Sequence, residues 1–434
     1  QETGTKPWNE NYSLAGNEFQ IRKDTQNGPI VATLTTDKDG KAETPSDVLK
    51  ALELGKYWVV ESKASAGFVN TFKPTQVELK YAGQTVELVI NTLKGANQEV
   101  TGETTLTKED KDTGSETQGN AVFEGAEYTL YYGENVGSHK ADEPVLWTDE
   151  YKPALTAGSN SENPVAENAV TITLDDAQKA GVNHLAIGSY YFKETKAPIG
   201  YTLDNTKYPV EIKKVDDNAS NAVIKQDVTA KEQVIRFGFS FYKWAEGSSA
   251  SAGVNGLEFK LTPQEGTKPI TGAEDTAVTG PNAASGLDGY GQFKNIPIGN
   301  YKFEETKAPE GFELITPLMI NVKFNENEED YAQSEYVFTI TEEGKDHAVK
   351  TITVPYSELT NEAFTVSLNN LMLYDKEAGT NAIASDATWA NGQKQTPAAG
   401  ETKLQDKVTY DLAEAGKSWY LVSKVAVSYT HSEP

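Results

Sequence analysis

Three glutamates occupy one position in three copies of a fourteen-residue pattern, and a carboxyl group placed this way can give or accept a proton. The pattern reads Gly-x-Tyr-x-x-x-Glu-[Thr/Ser]-Lys-Ala-[Pro/Ser]-x-Gly-[Tyr/Phe], and its copies span 55–68, 188–201 and 299–312. The three glutamates are Glu61, Glu194 and Glu305. Recurrence of one pattern along a chain indicates tandem domains of a single type.

A lysine-bearing strand is expected upstream of two of these glutamates. Lys108 lies in the run TTLTKED and Lys243 in FSFYK. Each precedes a second shared element, Gly-x-Glu-[Phe/Tyr], which occurs at 16–19, 125–128 and 256–259 and opens an alternating strand with one buried face. By alignment, the lysine of the first copy is expected upstream of Gln1, so the chain is predicted to start inside its first module.

A lysine and a glutamate that meet inside a protein core could form a covalent bond. Burial favours the neutral forms of an amine and of a carboxyl group, and a neutral amine is a nucleophile. A protonated carboxyl can polarise a nearby carboxamide and shuttle its proton. An asparagine in the last strand would then lose ammonia and form an amide bond with the lysine, because the fold holds the reactants together. Alternatively, the glutamate only hydrogen-bonds turn backbone and the lysine guards a sheet edge.

The elements that must position these residues are short strands. The chain has 434 residues, which favours three to four domains, and Val, Thr, Tyr and Phe are plentiful between frequent Gly and Pro. The fold class is predicted to be all-β, with tandem immunoglobulin-like sandwiches at 1–101, 102–236 and 237–375 and a different segment from 376. In the second module, 132–187 is interpreted as a long surface insertion.

Composition excludes several classes of function. A net charge of −25 argues against nucleic acid and anionic lipid as partners. Without cysteine there is no disulfide or thiolate metal site, and four histidines leave little for a zinc or Ser-His-Asp site. The acidic runs at 37–40 and 325–330 are interpreted as turns rather than calcium sites. No cofactor, metal, membrane insertion or multiple-turnover enzyme activity is predicted.

The segments ETKAPIGY and EETKAPEGF resemble the E-box of Cna B-type, SpaA-like domains of Gram-positive pilins and adhesins. TLTKED is similar to the first strand of that domain, and the resemblance covers about 1–375. It implies an inverse immunoglobulin-like sandwich closed by a Lys–Asn or Lys–Asp isopeptide bond, with a catalytic glutamate. By position, the three pattern glutamates take the acid role, and Lys108 and Lys243 take the nucleophile role.

The resemblance also implies an acceptor in the last strand of each module. Asn97 is preferred over Asn91 in the first module because it lies just before the next lysine strand. The second module has no asparagine at that position and uses Asp227 or Asn221, or forms no bond. In the third module the candidates are Asn369 and Asn370.

From residue 376 the chain is similar to the start of a VaFE-type repeat, a module that forms Thr–Gln ester bonds. Thr380 would be the ester donor, and its glutamine would lie past Pro434. Together the modules are interpreted as the extracellular stalk of a cell-wall-anchored adhesin or pilin. Sortase and peptidoglycan would be partners through a C-terminal anchor. The alternative is an adhesin module that binds a host protein or glycan through 132–187.

Overall fold

The structure is a computed structural model that describes residues 9–81, 92–147, 168–244, 253–269, 272, 274–359, 364–368, 371, 373–377, 383–389 and 404–410. Across those ranges the chain consists of β-strands with one short α-helix and three short 3-10 helices, so the all-β prediction is confirmed. None of the helices in these ranges is long and apolar enough to cross a membrane.

The described residues of the first module form six strands and the α-helix. These are β1 (Glu18–Lys23), β2 (Ile30–Thr35), α1 (Ser46–Ala51), β3 (Gly55–Lys63), β4 (Phe68–Val69), β5 (Thr75–Leu79) and β6 (Gln98–Glu99). Strands β2, β1, β3 and β5 form an antiparallel sheet in that order. The short β4 pairs with β6, which leads directly into the second module.

The second module is a two-sheet sandwich. Its strands are β7 (Thr101–Asp110), β8 (Glu127–Tyr132), β9 (Thr171–Thr173), β10 (Lys179–Leu185), β11 (Gly188–Lys196), β12 (Tyr208–Ile212) and β13 (Val223–Glu232), with a 3-10 helix at Ala219–Asn221. One sheet has the order β10-β7-β13 and the other β12-β11-β8-β9. Strands β7 and β13, the first and last, run parallel over ten residue pairs.

The predicted insertion at 132–187 is wrong in its bounds. Strand β9 pairs with β8 and strand β10 pairs with β7, so the C-terminal part of that range belongs to the sandwich itself. Val145, Trp147 and Val170 are buried in the core of the module, because the chain folds back over β8 after it leaves the sheet. Among the described residues, the excursion is therefore confined to the segment between β8 and β9.

The third module repeats the sandwich with added strands. They are β14 (Arg236–Trp244), β15 (Glu258–Pro263), β16 (Thr276–Val278), β17 (Tyr290–Pro297), β18 (Tyr301–Lys307), β19 (Phe312–Glu313), β20 (Leu318–Asn325), β21 (Glu335–Glu342), β22 (Ala348–Pro355), β23 (Phe364–Ser367), β24 (Leu373–Tyr374) and β25 (Lys376–Glu377). The other two 3-10 helices are Tyr331–Gln333 and Tyr356–Glu358. Beyond this module, β26 (Ile383–Trp389) and β27 (Leu404–Tyr410) form an antiparallel pair.

The third module places its first strand between two sheet neighbours. Strand β14 pairs antiparallel with β17 and parallel with β23 and β24, while the opposite sheet has the order β16-β15-β18-β20-β21-β22. Phe241 of β14 lies against Phe259 and Phe303 of the opposite sheet, with ring centroids 4.7 and 5.0 Å apart. The interior is thus packed with aromatic rings, and any polar side chain that enters it loses its contact with water.

Candidate functional site

The backbone register explains why each pattern glutamate points into the core. In every module it pairs with the aromatic residue of the Gly-x-Glu-[Phe/Tyr] element: Glu61 with Phe19, Glu194 with Tyr128 and Glu305 with Phe259. A register shift lies next to each of these pairs. The hydroxyl that follows each glutamate donates to the backbone carbonyl on the facing strand; the donors are Ser62, Thr195 and Thr306.

The tyrosine of the pattern fixes the start of the same strand. Its hydroxyl donates to the carbonyl oxygen four residues earlier in all three modules, at 2.8 Å for Tyr57, 3.1 Å for Tyr190 and 2.7 Å for Tyr301. The glycine near the end of the pattern has a positive φ in each copy, which favours glycine over any residue with a Cβ. The conserved spacing within the chain therefore follows from one strand-to-turn geometry that is built three times.

The third module brings all three predicted kinds of residue together. Lys243 on β14 and Asp375, just after β24, have no exposed side-chain surface, and Lys243 Nζ lies 2.7 Å from Asp375 Oδ2. Glu305 accepts a hydrogen bond from the backbone N–H of Ile315 at 3.0 Å.

The pKa of Glu305 is raised to about 8. Burial is the largest cause, and the hydrogen bond from the protonated Glu305 carboxyl to Asp375 is the next. Glu305 is therefore largely protonated at neutral pH and faces the carboxyl that the amine contacts. A buried amine, an adjacent carboxyl and a protonated acid are the groups that amide formation requires.

The second module places Lys108 between two glutamates. Its Nζ lies 2.9 Å from Glu194 Oε1 and also contacts Glu232 Oε1, and all three side chains are buried. The Tyr128 hydroxyl donates to Glu232 Oε1 at 2.9 Å. Burial raises the pKa of Glu194 to about 7 and also raises the pKa of Glu232, whereas the Lys108 charge acts in the opposite direction on both.

The structure does not bring Asp227 or Asn221, the acceptors predicted for the second module, to Lys108. Side chains alternate along β13, and the residue paired with Lys108 is Ala230, so the positions that share its inward face are even-numbered. Asp227 points outwards and is exposed. Asn221 lies in a 3-10 helix, where its amide donates to Asp216. Glu232 occupies the position expected for the acceptor.

In the first module Asn97 contacts the pattern glutamate, as the sequence predicts. Its Nδ2 donates to Glu61 Oε1 at 2.5 Å and to Asn17 Oδ1 at 3.1 Å. Burial raises the pKa of Glu61 to about 6, and the hydrogen bond from Asn97 partly offsets that rise. Asn91 and any residue before Asn9 lie outside the described residues, as do Asn369, Asn370 and Thr380.

A shared bridge identifies Asn97, Glu232 and Asp375 as equivalent positions. The final aromatic of each pattern pairs with the residue two places beyond one of these three: Phe68 with Glu99, Tyr201 with Val234 and Phe312 with Glu377. Sequence reasoning did not single out Glu232 or Asp375, because it considered only Asp227 and Asn221 in the second module and only Asn369 and Asn370 in the third. Two signals were available. Lys108 follows Asn97 by 11 positions and Lys243 follows Glu232 by 11, and Asp375 continues the phase of the apolar Leu371 and Leu373.

Comparisons with solved structures find matches at low sequence identity. The Bacillus anthracis TIE protein matches at 20% identity and a TM-score of 0.46, over 85% of this chain and 49% of that protein, so the chain spans about half its length. BcpA, the major pilin subunit of Bacillus cereus, matches at 18% identity and a TM-score of 0.32, over 86% of this chain and 97% of that one. The pilus adhesin SpaC from Lactobacillus rhamnosus GG matches at 15% identity and a TM-score of 0.34, over 87% and 43%.

No curated protein matches the sequence significantly. The family model described as SpaA, a prealbumin-like fold domain, matches residues 5–94, 102–228 and 243–336. Each matched range contains one copy of the fourteen-residue pattern and falls within one of the three modules. The match does not extend to the proposed VaFE-type repeat, which stays a prediction. Because this family model covers most of the chain in three tandem copies, the chain belongs to the SpaA family of prealbumin-like fold domains.

Proposed function

We propose that this chain is a stalk segment of a bacterial cell-wall-anchored adhesin or pilin, and that isopeptide bonds formed by the protein itself stabilise its modules. The observation that carries the proposal is the buried trio of Lys243, Asp375 and Glu305. The stalk would act outside the cell, with sortase and peptidoglycan as partners through an anchor at its C-terminal side.

The reaction in the third module is a condensation. The Lys243 ammonium first passes one proton to the Asp375 carboxylate that it contacts, and the neutral amine then attacks Cγ of Asp375, forming a C–N bond. Glu305 donates its proton to the departing oxygen of Asp375 and recovers one from the amine nitrogen, so that one water leaves and Glu305 is unchanged. A free carboxylic acid must be chemically activated before it reacts with an amine. Here the fold holds the two groups together and excludes water, so that this activation is not needed.

The position of the bond suits a mechanical role. It would join β14 to the chain segment directly after β24, two strands that are adjacent and parallel. Tension on this module enters near its first strand and leaves near its last. A covalent link between those strands would carry the load past the hydrogen-bonded sheets, which would then remain folded.

The test is the intact mass of the purified chain and of peptides that contain Lys243 and Asp375. A crosslinked pair short by one water is expected, and Glu305→Ala should restore the full mass. The matched control is Asp375→Asn, which keeps the side-chain length and should crosslink with loss of ammonia instead. Free Lys243 and Asp375 peptides from the unaltered protein would refute the proposal.

Binding of a host protein or glycan is the second candidate function. Leu146 is 38% exposed on the excursion between β8 and β9, beside the buried Val145 and Trp147, so the segment is anchored while part of its apolar surface faces solvent. The test replaces 148–167 with a short Gly-Ser linker and leaves the core strands β9 and β10 intact. If the variant loses binding to host extracts but melts at the same temperature, this function is supported. If the variant binds as the unaltered protein does, this function is refuted.

A further inference from the structure

The middle module has a glutamate where the third module has an aspartate. Strand pairing sets both positions: Lys243 pairs with Leu373 and Asp375 lies two residues further, whereas Lys108 pairs with Ala230 and Glu232 lies two residues further. In each parallel pair the side chain two residues on reaches the lysine amine. The extra methylene of Glu232 thus does not remove the contact.

The environment of Glu232 distinguishes its two carboxyl oxygens. Oε1 contacts Lys108 Nζ and accepts a hydrogen bond from the Tyr128 hydroxyl at 2.9 Å. Oε2 is buried and has no hydrogen-bond partner. A buried carboxyl oxygen without a partner is costly to keep, and a reaction that removes it as water also removes that cost.

We propose that Lys108 and Glu232 form an amide bond, so that the middle module carries a Lys–Glu crosslink. The proposal rests on the proposed function above and names the acceptor that the middle module uses. The reacting form has a neutral Lys108 amine and a Glu232 carboxyl that carries its proton on Oε2. The Lys108 nitrogen forms a bond to Cδ of Glu232, the bond from Cδ to Oε2 breaks, and that oxygen leaves as water after it gains a second proton. Glu194, 2.9 Å from the amine, takes a proton from nitrogen and delivers it to the leaving oxygen.

Tyr128 has a specific part in this reaction. When nitrogen adds to Cδ, negative charge develops on Oε1, and the Tyr128 hydroxyl is already placed to donate to it. The equivalent residue in the third module is Phe259, which has no hydroxyl. The middle module therefore combines a longer acceptor with a donor that the third module does not have at that position.

An unreacted ion pair is the competing state. The rings of Tyr128 and Tyr201 lie 5.6 and 5.2 Å from Lys108 Nζ, where they stabilise an ammonium group. Glu194 and Glu232 would balance that charge. Peptide masses separate the two states directly, because only the amide joins the two segments.

The experiment is a tryptic digest of the full chain followed by mass spectrometry. A bonded Lys108 blocks cleavage, so residues 95–111 should appear joined to residues 232–236 with one water missing. In the same digest, residues 237–260 joined to 351–376 report the Lys243–Asp375 bond. Separate peptides for Lys108 and Glu232 beside a joined third-module pair would overturn this inference and leave the proposed function standing. Separate peptides in both modules would overturn both.

Three variants test the chemistry. Glu232→Gln should give a joined peptide identical in mass to that of the unaltered protein, because ammonia leaves in place of water and the product is the same amide. Glu232→Ala should abolish the joined peptide while the third-module pair persists, which also shows that the chain has folded. Tyr128→Phe keeps the ring and should leave a measurable unreacted fraction; complete joining in that variant would refute the role given to the hydroxyl.

Discussion

Glu305→Gln is the substitution that most directly tests whether a covalent bond stabilises the third module. A carboxamide keeps the size of the side chain and can still accept the hydrogen bond from the Ile315 N–H, but it cannot shuttle a proton. The Lys243–Asp375 ion pair would remain without becoming an amide. The expected chain is heavier than the unaltered protein by about the one water that the missing bond retains.

The size of the effect follows from the loop that the bond closes. A crosslink from Lys243 to Asp375 encloses about 130 residues, and the chain-entropy relation for crosslinks then gives about 5 kcal/mol of stabilisation at 25 °C. For a module of this size, 1 kcal/mol corresponds to roughly 3–4 °C in melting temperature. The third-module transition should therefore fall by roughly 15 °C in Glu305→Gln.

Differential scanning calorimetry of the full chain, run beside the intact mass, measures both quantities. Glu310→Gln is the control, because Glu310 is exposed in the turn that follows the same strand; this variant should still lack the water lost on crosslinking and should melt like the unaltered protein. A variant that lacks the bond and melts within a few degrees of the unaltered protein would refute the entropic argument. A variant with the bond intact would refute the role of Glu305.

Three further predictions follow from individual contacts. Burial raises the pKa of Glu61 to about 6, so the stabilisation from protonated Glu61 is complete below pH 4.5 and is lost as pH rises through 6. In urea titrations the first module should lose about 2 kcal/mol of unfolding free energy between pH 4 and pH 7.5 relative to Glu61→Gln. Parallel pH profiles of the two proteins would contradict this. Tyr301→Phe removes the 2.7 Å hydrogen bond to the Pro297 carbonyl and should cost about 1–3 kcal/mol in the third module, whereas Tyr81→Phe, at an exposed site, should cost nothing measurable. Gly119→Ala would place a Cβ 2.0 Å from the Ile298 carbonyl oxygen at the junction of the second and third modules. Small-angle scattering should then show a broader distribution of molecular lengths, while each module melts at its usual temperature. An unchanged scattering profile would count against a rigid junction.

Much of this arrangement could be predicted from the chain, since short-range signals determine it. The all-β class follows from alternating residues and frequent turns, and the three glutamates and two lysines follow from motifs whose spacing reflects a single strand geometry. The acceptors were harder, because they depend on the register between strands that are far apart in sequence. Asp227 has a suitable side chain but lies on the face of β13 that points away from Lys108. Which face points towards Lys108 is known only once β7 and β13 are paired. The extent of the insertion failed for a similar reason, since the weak alternation of β9 and β10 hides their pairing with β8 and β7.

The fourteen-residue pattern places the glutamate and also holds the segment that faces it, which explains why the pattern extends beyond the glutamate. Its glutamate faces the proposed acceptor, and seven residues later its final aromatic pairs with the chain just past that residue, for example Phe68 with Glu99. The intervening turn also meets the next module. In the first module Ala64 N–H donates to Asp217, and in the second the Ala197 carbonyl accepts from the Tyr331 hydroxyl at 2.7 Å.

The turn therefore secures the acceptor segment on the side opposite the lysine strand, at the place where the chain leaves one module for the next. Force that reaches the junction would meet the proposed covalent bond and a packed interface within a few residues of each other. A variant that loosens the interface but keeps the bond should make the stalk bend without making its modules unfold. A variant that removes the bond but keeps the interface should do the reverse, and pulling single molecules end to end would separate the two responses.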